Sequence, residues 1–141
     1  MTARKDRKLR RIRAQEGRTL NDLDPPAWGP PTYDSGLVIR CHALREKPLS
    51  DFTVGDLRVM IGQEISLRHL VPRAISVLEE DPLAEGDYYP GDLLNAVLSI
   101  DRHYWHSNPG DRARIGEIVD ALDSPDDHLQ DSIRAFRSLD P

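Results

Sequence analysis

The sequence predicts a mainly α protein, a compact single domain of five or six helices behind an N-terminal extension. Apolar residues recur at i, i+3, i+4 spacing in one segment after another, which is the period of a helix with one buried face. Between those segments stand Pro, Gly, Ser and Asp, the residues that start and stop helices. A length of 141 residues is also one ordinary domain, large enough to bury a core without covalent staples.

Residues 1–18 form a basic arm, with Arg4, Lys5, Arg7, Lys8, Arg10, Arg11, Arg13 and Arg18 against Asp6 and Glu16. Its only apolar residues at helical spacing are Leu9 and Ile12, so it reads either as a frayed tail or as an arm for nucleic acid or a membrane surface. No aromatic residue interleaves with the charges, so base stacking is not supported. Residues 21–36 hold Pro25, Pro26, Pro30 and Pro31 with Gly29 and Gly36, the composition of an extended linker that Trp28 clips to the domain. The expected division is therefore a flexible arm and Pro-rich linker over 1–36 and a helical domain over 37–141. Leu37-Val38-Ile39 fits either a short strand or the first turn of a helix reaching Leu44.

From Leu49 to Ile100 the pattern is clearest. Leu57, Met60 and Ile61 share a helical face with Val54 one turn earlier, Thr53 is a candidate N-cap and Gly62 a candidate stop. Leu67, Leu70, Val71, Ala74 and Leu78 make the next stripe, with Ser66 as candidate cap. Pro72 lies inside it; because the stripe passes through without a phase change, a kink is expected rather than a restart. Glu79-Glu80-Asp81-Pro82 ends this helix. Pro90 is read as the first turn of a third helix with Leu93, Leu94, Val97 and Leu98 inward.

Beyond Ile100 a break is expected near Asp101 and a turn at Asn108-Pro109-Gly110. Ile115, Ile118, Val119 and Leu122 form a fourth stripe. Ser124 and Pro125 are placed at the cap and first position of a last helix that buries Leu129, Ile133 and Phe136. Val54, Leu57, Leu70, Val71, Leu78, Leu93 and Leu94 are the expected core.

Chemistry is sparse. Cys41 is the one cysteine, which excludes an internal disulfide and suits a reducing, cytoplasmic setting. No apolar run approaches a membrane span. His103 and His106 could share a helical face, yet no third ligand accompanies them, so neither metal nor other cofactor is expected. Cys41-His42 are sequence neighbours, unlike a catalytic pair brought together from separate elements, and no nucleotide-binding or serine-hydrolase motif occurs. An enzyme is not expected. The net charge of −5 hides an asymmetry: residues 1–18 carry +6, so the rest carries −11. An acidic body of that kind attracts cationic partners.

The strings LREKPLSDFTVGDLRVMIGQ, LRHLVPRAISVLEEDPLAEGDYYPGDLLNAVL and RHYWHSNPG resemble the immunity proteins of contact-dependent growth inhibition systems. The first block is carried by Lys47, Pro48, Leu49, Thr53, Val54, Asp56, Leu57, Arg58, Ile61, Gly62 and Gln63. The second is carried by residues from Leu70 to Leu94, above all Asp81, Pro82, Leu83, Glu85, Gly86, Asp87, Tyr89, Pro90, Gly91 and Asp92. The resemblance covers about 37–122 and leaves the arm and linker outside. It implies a cytoplasmic binder, without catalysis, of the toxin domain of a polymorphic toxin; a basic nuclease would suit the acidic body. No membrane contact is expected, and no nucleic-acid contact outside residues 1–18. The expected toxin contacts are Glu79, Glu80, Asp81, Glu85, Asp87, Tyr88 and Tyr89, carboxylates and tyrosines on a helix end and loop. The competing expectation is that this loop only packs Tyr89 and caps the next helix. The alternative is a different function, a helical interaction or regulatory module whose basic arm contacts nucleic acid or an acidic partner.

Overall fold

A computed structural model describes residues 10, 12, 15–32, 34–123 and 125–139. Most of the basic arm, Tyr33 and the Ser124 cap therefore lie outside the described residues. Among those described there are eight α-helices, one 3-10 turn and a single isolated β-bridge. The helices are α1 (Leu20–Leu23), α2 (Gly36–Leu44), α3 (Val54–Gly62), α4 (Leu67–Glu80), α5 (Asp92–Leu98), α6 (Arg102–Ser107), α7 (Pro109–Asp120) and α8 (Asp127–Arg137). The fold is mainly α, as the periodicity predicts. The chain forms two compact units that divide between Thr53 and Val54.

In the first unit the expected wholly extended stretch begins with a helical turn. A reciprocal capping box makes α1: Thr19 and Asp22 exchange side-chain to backbone hydrogen bonds of 3.3 Å. Leu37, Val38 and Ile39 belong to α2, so the helical alternative holds. The proline-containing stretch is gathered by Arg45, only 2% exposed. Its guanidinium donates to the Asn21 side chain at 3.1 Å and to the carbonyls of Asp24 at 2.8 Å and Pro26 at 3.1 Å. The Asp24 carboxylate lies 3.5 Å away. Trp28 lies under the guanidinium at 4.7 Å and donates its backbone N–H to Asn21 at 3.0 Å. His42 Nδ1 sits 2.9 Å from the Gly29 carbonyl, an acceptor only, so Nδ1 carries the proton there. Proline-rich backbone lacks donors of its own, and Arg45 brings donors to two of its carbonyls.

In the second unit α4 packs against α3, α5 and α7, α5 against α3 and α8, and α6 against α7. Leu57, Leu70, Val71, Leu78, Leu93 and Leu94 are buried as expected, together with Ile75, Trp105, Ile115 and Phe136. Val54 is only half-buried, whereas Gly55, Asp56 and Val59 are buried: α3 is covered on more than one side, so a single stripe underestimates it. α4 runs continuously through Pro72.

Several boundaries differ from the sequence expectation. α3 does end at Gly62, but not through a left-handed glycine; the left-handed positions that follow are Glu64 (φ 55°) and Ser66 (φ 51°). In that conformation Ser66 gives no side-chain cap to α4. The third helix starts at Asp92, not Pro90, because Gly91 turns left-handed (φ 93°) ahead of it. Pro109 and Gly110 open α7 instead of forming a turn, which suits a proline at a first helical position. Pro125 precedes α8, whose cap is Asp126 accepting from the Leu129 N–H.

Candidate functional site

The residues expected to act lie on the end of α4 and the loop joining it to α5, and a buried carboxylate gives that loop its shape. Asp92, 3% exposed, accepts the backbone N–H of Gly86 at 2.6 Å and of Tyr88 at 3.0 Å. Two loop donors, one on each carboxylate oxygen, are aimed at one anion, and the first turn of α5 adds the positive end of its dipole. The loop is closed further by the Gly91 N–H on the Leu83 carbonyl at 3.0 Å and by the bridge between Glu85 and Pro90.

Helix α3 forms the other wall. A Cβ on Gly86 would stand 3.0 Å from the Gly55 Cα, so the loop backbone runs directly across the helix. One turn along, Arg58 reaches the loop. Its guanidinium bonds Asp87 at 3.1 Å, lies 3.8 Å from the Asp92 carboxylate through Nε, and stacks on the Tyr88 ring at 4.6 Å. Arg58 Nε is buried with Asp92 as its nearby counter-charge but at no hydrogen-bonding distance.

The seven expected contact residues divide by what they touch. Glu79 is engaged within the unit, bonded to Arg114 at 2.5 and 3.2 Å. Asp81 caps its own loop by accepting the Leu83 N–H at 3.2 Å. Tyr89 is half-buried, and its hydroxyl accepts from the Asn95 side chain at 2.8 Å. Asn95 in turn receives the Ser132 hydroxyl of α8, so Tyr89 is tied to the core through two helices. Glu80, Glu85 and Asp87 are exposed, and Tyr88 is 72% exposed. The structure thus brings together Glu85, Asp87, Tyr88 and Tyr89 on one short loop.

Sequence reasoning assigned Arg58 and Asp92 no role in this loop. The signal available was their charge on otherwise apolar helices: Asp92 stands next to Leu93 and Leu94, and Arg58 between Leu57 and Val59. Buried or half-buried charges of that kind are retained where they have partners.

Elsewhere in the second unit, the Tyr104 hydroxyl donates to the buried Asp111 carboxylate at 3.1 Å. Burial first, and Asp111 second, push that phenol well above its ordinary value. His103 and His106 are both exposed on α6. No group of three or more potential metal ligands occurs among the described residues, and none of their helices is long and apolar enough to cross a membrane.

What these residues build is a charged, tightly pinned surface loop on a helical scaffold. Residues 22–115 match the family of CDI immunity proteins, and with more than half of its length matched the chain belongs to that family. The match begins at residue 22, earlier than the resemblance read from motifs, and so takes in the four prolines of the linker and all of the Arg45 cluster but Asn21. No curated protein matches the chain. Family membership gives an immunity role, and that role implies a cognate toxin as partner.

Proposed function

We propose that this protein neutralises the C-terminal toxin domain of a contact-dependent growth inhibition or related polymorphic toxin by stoichiometric binding in the cytoplasm, and that its own side chains perform no reaction. Family membership carries the reading. The charge pattern supports its electrostatic side: outside residues 1–18 the chain carries −11, and a field of that sign steers a cationic partner and raises its on-rate. A nuclease toxin, whose cleft must be basic to hold phosphate, has the matching chemistry.

The proposed contact surface is the exposed part of the α4–α5 loop, with Glu80, Glu85, Asp87 and Tyr88 facing the toxin. Glu79, Asp81 and Tyr89, occupied within the unit, hold that surface in place. Such a division fits interfaces in general, where a few aromatic or charged anchors supply most of the binding energy and their surroundings keep them positioned. The test is co-expression with the C-terminal domain of a large secreted protein whose gene adjoins that of this chain. Survival of cells carrying both, and death of cells carrying the toxin domain alone, is the expected result. Death in both cases would refute the proposal.

A further inference from the structure

Building on that binding reading, we propose that Tyr88 is a pre-organised anchor whose ring enters a cationic cleft of the toxin. A large aromatic side chain left 72% exposed gains little stability for the free protein. Yet this one is not loosely held. Its backbone N–H is fixed on Asp92 at 3.0 Å, and one side of its ring is held by the Arg58 guanidinium at 4.6 Å. Arg58 is itself held by Asp87 at 3.1 Å, so ring, cation and carboxylate form a stack supported from below by a buried anion. Among the described residues the Tyr88 hydroxyl has no hydrogen-bond partner, and the exposed ring is open to solvent.

Ordering a side chain before association removes part of the entropy that binding otherwise costs. Tyrosine is well suited to this, with a large apolar ring on two torsions and a polar tip. The partner's chemistry follows from the surroundings. Asp87 and Glu85 flank the ring, and both are exposed, so a cleft bearing arginine or lysine is favoured and an acidic one is rejected. The Arg58 charge does not reverse this, because Asp87 and Asp92 offset it locally.

The experiment uses the full chain and the toxin domain from the adjoining gene that the co-expression test identifies, with affinity measured by calorimetry and folding by thermal midpoint. Tyr88→Ala lowers affinity by on the order of 30-fold or more, the scale of an interface anchor, with the midpoint unchanged because the side chain fills no cavity. Tyr88→Phe stays within about threefold of wild type, since the ring supplies the energy. Tyr88→Arg loses at least as much as alanine. If wild type binds but Tyr88→Ala binds equally well, the anchor assignment is overturned while the immunity reading stands. If Tyr88→Arg binds as well as wild type, the cleft is not cationic and the proposal is overturned. If wild type itself does not bind, the immunity reading fails and the anchor falls with it.

Discussion

Replacing Asp92 by alanine removes the buried anion on which the second half of the α4–α5 loop is folded. Two donors lose their acceptor, the Gly86 and Tyr88 N–H groups now at 2.6 and 3.0 Å, and Arg58 loses the counter-charge 3.8 Å from its buried Nε. A buried donor left unsatisfied costs about 1–3 kcal/mol. The two backbone groups alone therefore give about 2–6 kcal/mol, and the Arg58 charge, left with Asp87 alone, adds to it, although water entering the opened loop recovers part. Against a typical domain stability of about 5–15 kcal/mol this is a large loss. Urea denaturation followed by circular dichroism measures it, and limited proteolysis locates it: new cleavage is expected between Glu85 and Tyr89, where the wild type is expected to resist. Asp92→Asn is the informative companion. Its carbonyl oxygen keeps one acceptor while its amide opposes the remaining donors, so an intermediate loss is expected. Should Asp92→Ala come within about 0.5 kcal/mol of wild type with no new cleavage, the view of Asp92 as the centre of the loop is wrong.

Three further perturbations test other parts of the structure. Arg45→Met keeps a long apolar stem but removes the donors to Asn21, Asp24 and Pro26; a loss of about 2–4 kcal/mol is expected, read as an earlier urea transition of Trp28 fluorescence in a Trp105→Phe background. Gly91→Ala meets both a left-handed backbone (φ 93°) and the Leu129 side chain 3.0 Å from the new Cβ, so it costs about 1–2 kcal/mol or more, whereas Gly62→Ala, helical with open space around it, is neutral or slightly stabilising by thermal melting. The third is alkaline pH. Tyr104 is raised by burial and by Asp111, so the unfolded chain ionises near about 10 while the folded one does not. The stability it supplies is complete below that pH and declines above it, until the folded phenol titrates. Cys41, raised mainly by burial, acts with the same sign. The thermal midpoint should fall on the alkaline side, less steeply in Tyr104→Phe, and one of the four tyrosines should resist ionisation at 295 nm in the native protein.

Helices with one clean stripe were legible because burial of one face writes its period into the sequence: Leu70, Val71, Ala74 and Leu78 on α4, and Leu129, Ile133 and Phe136 on α8, are all buried. The misplaced boundaries share a cause. Local preference places Pro90, Pro109 and Pro125, but the actual ends are set by tertiary demands, such as the left-handed Gly91 whose N–H reaches Leu83. In the loop, sequence identified exposed carboxylates and tyrosines, since composition marks them. It did not identify Arg58 and Asp92 as what organises them, because a contact between α3 and a loop 29 residues later has no local signature. The same holds for Arg45 and the proline-rich stretch, joined across 19 to 24 residues.

The most direct test of the central claim is a titration of the toxin domain's activity with this purified protein. Binding without chemistry predicts a linear loss of activity that ends at equimolar protein, with both chains recovered intact from the complex. Inactivation by a small fraction of an equivalent, or a covalent change in the toxin, would contradict it.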